Sequence, residues 1–124
     1  MYIRAVGRKG RVKLAKKAEA LRIYFDRHAL DCFNETVAYC QICSGLIKPG
    51  QADPCHKRKA SLCGGEEPSN IIAGHRRCHQ WADRTLERRQ VLEGCGVSVL
   101  TGGVIQWPPH LKESLLKWLT LGED

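Results

Sequence analysis

The chain has no run of apolar residues long enough to cross a bilayer, and no apolar stretch typical of a secretory leader. These absences argue against a membrane-embedded or exported protein and predict a soluble, cytoplasmic one. There is also no internal repeat and no low-complexity segment. The cysteines do not form an even framework: there are 7 of them. An odd count fits thiolate ligands plus spare thiols in a reducing compartment better than a set of disulfides. In such a compartment the sequon-like Asn34-Glu35-Thr36 carries no meaning. At 124 residues the chain is long enough for one domain with a moderate core, to which a bound metal would add stability.

Negative charge is scarce near the N-terminus. Residues 1–30 carry Arg4, Arg8, Lys9, Arg11, Lys13, Lys16, Lys17, Arg22 and Arg27 against only Glu19 and Asp26, while the remainder is balanced, so the net charge of +7 lies entirely in this segment. A block of cations either binds a polyanion, by displacing condensed counterions from phosphates, or is a solvated helix face. The candidate nucleic-acid contacts are Arg8, Lys9, Arg11, Lys13, Lys16 and Lys17.

The first ten residues read as an arm. Leu14, Ala18, Leu21, Phe25 and Ala29 recur at helical spacing, which predicts an amphipathic helix from residue 11 to about 30. Short strands are expected over Thr36–Gln41 and Ala52–Lys57, with a reverse turn at Lys48-Pro49-Gly50 and a loop over Leu62–Ser69. From His75 the pattern is helical through Glu93, stopped by Gly94. Val97–Leu100 and Val104–Trp107 flank Gly102-Gly103 and suggest a β-hairpin. Pro108-Pro109 then opens a last helix with Leu111, Leu115, Trp118 and Leu119 on one side, a face for the chain's own core or for a homodimer. The expected class is α+β, in one compact domain: a basic arm and helix (1–35), a metal-stapled core (36–94) and a C-terminal hairpin and helix (95–124). Trp81, Trp107 and Trp118 are expected core anchors, Cys32, Cys63 and Cys95 packing or loop cysteines, and His28 and His110 surface residues.

The densest chemical signal lies between Cys40 and Asp83. Cys40-x2-Cys43 and His75-x2-Cys78 are two pairs of soft ligands about thirty residues apart, a spacing that encloses one Zn²⁺ tetrahedrally. A metal-free pair of turns is the bland reading, and His79 in place of His75 is an alternative fourth ligand. His56, Asn70, His79 and Asp83 are left unused by this frame, the last two sharing a helix face.

The order His56, Asn70, His79 within this Cys/His frame resembles the HNH endonucleases of phages and bacteria, over roughly residues 38–85. The string from Ala52 to Ser61, the Gly64-Gly65 pair and Ser69-Asn-Ile-Ile strengthen the likeness. The resemblance implies a ββα-metal fold with a structural zinc, and a metal-dependent hydrolase acting on DNA phosphodiesters. It implies His56 as general base, Asn70 orienting the base strand, and His79 with Asp83 holding a catalytic divalent ion, Mg²⁺, Mn²⁺ or Ni²⁺. Asn70 also suits a turn or a helix N-cap, and Asp83 also suits a helix N-terminal turn. Many members carry Asp, Glu or His directly before the base, where this chain has Cys55. A thiolate is a poor partner for Mg²⁺. Either Asp83 or Asp53 supplies the missing oxygen, or the site takes a softer ion, or it is inert and the chain is a nucleic-acid-binding module of the same fold. A zinc-knuckle adaptor that binds protein is a third reading.

Overall fold

A computed structural model describes residues 8–32, 34–59 and 65–122, without the side chains of residues 8–10. The expected arm falls mostly outside these residues, as do Leu62, Cys63 and Gly64 of the 62–69 loop. Among the described residues the protein is α+β, with four α-helices and two small antiparallel sheets. Helix α1 (Arg8–His28) leads into strands β1 (Leu30–Cys32), β2 (Glu35–Tyr39) and β3 (Leu46–Ile47), which form one sheet. Strands β4 (Ala52–His56) and β5 (Ile71–His75) form the other, followed by α2 (Arg76–Ala82), α3 (Leu86–Gly94) and α4 (Pro109–Leu121).

Helix α1 starts three residues before its expected beginning and is supported by the i,i+3 and i,i+4 pairs of Arg22 with Glu19 and Asp26. Its buried stripe is rotated from the expected one: Ala20 and Tyr24 are buried, Leu21 and Phe25 pack against the core, and Leu14 and Ala18 are exposed. The reason is Tyr24. Its ring fills the core while its hydroxyl donates to the Tyr39 carbonyl at 2.5 Å, so the helix turns to place this large side chain inward.

The β4–β5 ladder runs in register from Ala52↔His75 to His56↔Ile71. The segment before His75 is therefore a strand, where the sequence suggested no element. Ile71, Ile72, Ala73 and Gly74 are all buried, and a short run apolar on both faces has no period of 2 to betray it. The helical stretch after it is broken. Thr85 caps α3 by accepting the Arg88 backbone N–H at 3.2 Å, so Asp83 and Arg84 form a turn between two helices.

The expected C-terminal hairpin is absent: residues 95–108 form no strand. Their backbone groups are used by other parts of the chain. Val99 N–H donates to the Ile71 carbonyl and Ile105 N–H to the Gln41 carbonyl, both at 2.8 Å. The Gln41 amide, fully buried, donates to the carbonyls of Ser98 and Gly103 at 2.9 Å. The segment thus wraps around Gln41 instead of pairing with itself. Gly102, at φ 69°, closes on the His28 ring, whose Nε2 lies 3.3 Å from the Leu100 carbonyl. His28 is accordingly a packed residue rather than a free surface one, and His110 meets Glu87 at 2.5 Å.

Helix α4 opens with Pro109 as expected and buries Leu111 and Leu115, with Trp118 and Leu119 packed against the core. Trp81 and Trp107 meet edge to face at 4.9 Å in the centre of the molecule.

Candidate metal centres and the polar cluster beside them

The turn after β2 is shaped by backbone rather than by side chains. Cys40 N–H donates to the Gly45 carbonyl, Ser44 N–H returns to Cys40, and Ser44 takes a left-handed φ of 69°. This turns Cys40 and Cys43 toward the end of β5, where His75 precedes α2 and Cys78 lies on its first turn. The ligand atoms of Cys40, Cys43, His75 and Cys78 all lie within 4.8 Å of one another.

This quartet fits zinc. His75 Nδ1 lies 3.4 Å from Cys43 Sγ and 3.7 Å from Cys78 Sγ. Bonds of about 2.3 Å to sulfur and about 2.1 Å to nitrogen place tetrahedral S and N neighbours about 3.6 Å apart. His75 Nε2 is 3.2 Å from the Leu46 carbonyl, which holds the proton on that nitrogen and leaves Nδ1 free as a ligand. Backbone N–H groups of Cys43 and His75 donate to Cys40 Sγ, and that of Gly45 to Cys43 Sγ, each at 3.4 Å, as suits thiolates. Hydrogen bonds from the Cys43 and Cys78 side chains hold the Cys40 thiol far below its ordinary value, and the same contacts push Cys43 and Cys78 up. Three sulfurs this close ionise together only when a cation joins them. A Cβ on Gly74 would stand 3.1 Å from Ile42 Cδ1 and 3.3 Å from Cys40 Sγ, so a larger residue there would push Ile42 or Cys40 aside by a few tenths of an ångström.

A second group of ligand atoms lies on β4 and α2, the helix that also carries Cys78. Cys55, His79 and Asp83 also gather theirs within 4.8 Å. His79 and Asp83 come together because Asp83, the C-cap of α2, continues its helical path one turn beyond His79, with Nε2 and Oδ2 2.9 Å apart. Cis ligands on an ion with bonds of about 2.1 Å stand about 3.0 Å apart, which this pair matches. Asp53, two residues before Cys55 on the same face of β4, accepts from His79 Nδ1 at 2.6 Å. A carboxylate holding one ring nitrogen and leaving the other for an ion is the usual arrangement of a metal-binding histidine. Burial disfavours the charged His79 ring, but hydrogen bonds to Asp83, Cys55 and Asp53 outweigh it and push the ring up to about 11. Burial likewise works against an ionised Asp83, and the hydrogen bond and charge of His79, with Arg89 beyond, hold its carboxyl below the ordinary range.

His56 does not join that group of ligand atoms. Its Nε2 lies 3.2 Å from Glu66 Oε1. Asn70 spends its whole amide on backbone: Oδ1 accepts from Arg58 N–H at 2.9 Å, and Nδ2 donates to Arg58 and Gly65 carbonyls at 3.0 and 2.8 Å. It is neither a helix cap nor a partner of the His56 ring; it ties the end of β4 to the segment before Glu66. Arg89, half of a link not legible in the sequence, donates to Asp83 Oδ1 at 2.9 Å and to the carbonyls of His56 and Lys57 at 2.9 and 3.0 Å. It thereby couples the Asp83 corner to the His56 strand. Glu66 and Arg89 carried no spacing signal, because a single acid or base six to ten residues from its partner repeats no helix or strand period. Of the basic residues on α1, Arg11, Lys13 and Lys16 are exposed and Lys17 is half-buried; the side chains of Arg8 and Lys9 lie outside the described residues. No helix among the described residues is long and apolar enough to cross a membrane.

Compared with known protein families, with curated proteins and with solved structures, the chain matches none of them.

Proposed function

We propose that this protein is an HNH-type endonuclease that hydrolyses DNA phosphodiesters, with a structural zinc on Cys40, Cys43, His75 and Cys78 and a single divalent ion on His79, Asp83 and Cys55. The observation that supports this reading best is the second set of ligand atoms, on β4 and at α2, in addition to the first. A zinc-stapled binding module needs the first set only.

In this reading His56 removes a proton from the attacking water, since an imidazole suits that role near neutral pH. A bound ion would supply Lewis-acid neutralisation of the charge on the phosphate and the departing oxygen. His79 and Asp83 offer it one nitrogen and one oxygen, Asp53 keeps the His79 ring turned toward it, and Arg89 fixes Asp83. Asn70 sets the path of the chain after His56. The exposed cations of α1 hold the phosphate backbone. Cys55 makes the second set softer than an all-oxygen site, which favours Mn²⁺ or Ni²⁺ over Mg²⁺. The free thiols of both sets suit a reducing compartment such as the cytoplasm.

The inactive nucleic-acid-binding module is the second reading, favoured by His79 having a carboxylate on each ring nitrogen. A plasmid-cleavage assay with Mg²⁺, Mn²⁺, Ni²⁺ and chelator, run beside zinc quantification, separates the two. Metal-dependent nicking by a protein holding one zinc supports the enzyme. Binding without cleavage under every ion supports the module.

A further inference from the structure

We propose that Glu66 is the positioning residue of His56, holding the imidazole by its Nε2–H so that Nδ1 is the nitrogen that takes the proton. This rests on the nuclease reading for its chemical meaning, although the contact and its effect on the ring can be tested without it.

The geometry points to Glu66 because, among the described residues, its carboxylate is the group that meets the His56 ring, at 3.2 Å from Nε2. In the resemblance discussed above, Asn70 is the orienting residue, yet its three hydrogen bonds all go to the backbone of Arg58 and Gly65. Their effect is indirect. By joining Arg58, two residues after His56, to Gly65, one residue before Glu66, Asn70 brings the carboxylate to the imidazole. The contact is enclosed: the His56 side chain is 18% exposed and the Glu66 side chain 12%. A carboxylate shielded from water in this way fixes one tautomer and one ring orientation, where a solvated pair would fix neither.

With the proton of Nε2 donated to Glu66, only Nδ1 keeps a lone pair. In the hydrolytic step one O–H bond of water breaks and its proton passes to Nδ1. The water oxygen bonds to phosphorus while the bond from phosphorus to the leaving oxygen breaks, and that oxygen is later protonated from solvent. The ring becomes an imidazolium with a proton on each nitrogen, and the Glu66 carboxylate stabilises that charge without taking a proton itself. The role parallels that of the buried carboxylate in hydrolase triads.

The test uses the full chain loaded with zinc. Long-range ¹H–¹⁵N correlations of the His56 ring read the tautomer directly, without substrate and without an ion at the second set of ligands. The wild type is expected to show the Nε2–H form. Glu66→Ala should convert it to a mixture with the Nδ1–H form, and Glu66→Gln, whose amide oxygen still accepts, should keep Nε2–H. In cleavage assays both variants should lower kcat by about 10–10³-fold at unchanged KM, with zinc content intact. Glu66→Asp, with its shorter reach, should recover part of the loss. A wild-type ring already in the Nδ1–H form, or a Glu66→Ala ring with unchanged tautomer, overturns the proposal. If the wild type cuts nothing under any metal, the nuclease reading fails, while the tautomer result still decides whether Glu66 positions His56. Should Glu66→Ala fail to fold, the isosteric Glu66→Gln against Glu66→Asp carries the comparison: equal kcat in both and the wild type overturns it.

Discussion

Replacing Gln41 by leucine removes the hub that joins the zinc turn to the C-terminal segment. Three side-chain hydrogen bonds are lost: to the carbonyls of Ser98 and Gly103, and from the Ala73 N–H at 2.8 Å. Gln41 is fully buried, so water cannot simply replace it. A buried polar group left without a partner costs about 1–3 kcal/mol. With three such groups, partly relieved by rearrangement of the 98–103 loop, the expected loss is about 3–6 kcal/mol. Small domains hold only about 5–15 kcal/mol in total, so the variant should be close to unfolding at 37 °C. Gln41→Glu should be at least as damaging, because a carboxylate cannot donate to two carbonyls and would bury a charge against them. Zinc affinity should fall in both, since Gln41 lies between Cys40 and Cys43 and grips Ala73, two residues before His75. The assay is urea unfolding of the zinc-loaded protein followed by tryptophan fluorescence, with Trp81 and Trp107 as buried reporters. A loss under about 1 kcal/mol would refute the hub and the reasoning that placed the 98–105 segment around it.

Burial, with the Cys40 sulfur adding to it, pushes the Tyr24 phenol up to about 12. Its folded value lies above its unfolded one, so the stability it contributes is intact below about pH 10 and is lost as the pH rises toward about 12. Tyr24→Phe should flatten that part of the stability profile while costing about 1 kcal/mol at neutral pH. Changing Arg11, Lys13, Lys16 and Lys17 together to glutamine should weaken DNA binding and reduce its salt slope by up to about 4, with zinc and fold retained; an unchanged slope would make this face merely solvated. Cys55→Asp should narrow the advantage of Mn²⁺ and Ni²⁺ over Mg²⁺ in cleavage, by replacing sulfur with oxygen in the second ligand set, and an unaltered metal preference would remove Cys55 from that set.

Local spacing was the part of this molecule that could be read without coordinates. Cys40 and Cys43 on one turn, His75 and Cys78 on another, and His79 with Asp83 four apart on a helix are short-range patterns, and the fold brings each group together. The last helix was legible for the same reason, through Pro109 and the Leu111–Leu115 spacing. What failed involved competition for partners across the chain. The Val97–Leu100 and Val104–Trp107 segments alternate and flank two glycines, yet Gln41 and Ile71, far away in sequence, take the backbone groups a hairpin would need. Leu14 and Ala18 kept a regular period but lost the core to Ala20 and Tyr24, because a tyrosine with a buried carbonyl to reach decided the helix rotation. Strand β5 hid among residues apolar on both faces. Glu66 and Arg89 were invisible for a simpler reason: an acid or a base in a polar segment has no pattern until its partner is known.

The most direct test of the two-centre account compares His56→Ala with His79→Ala in DNA cleavage as the divalent ion is titrated. Both should bind DNA and keep their zinc, and both should lose about 10²–10⁴-fold in rate. Added ion should partly restore His79→Ala, which has lost a ligand, and should do nothing for His56→Ala, which has lost the base. Full activity in both variants would contradict the account and leave a zinc-stapled binding protein in its place.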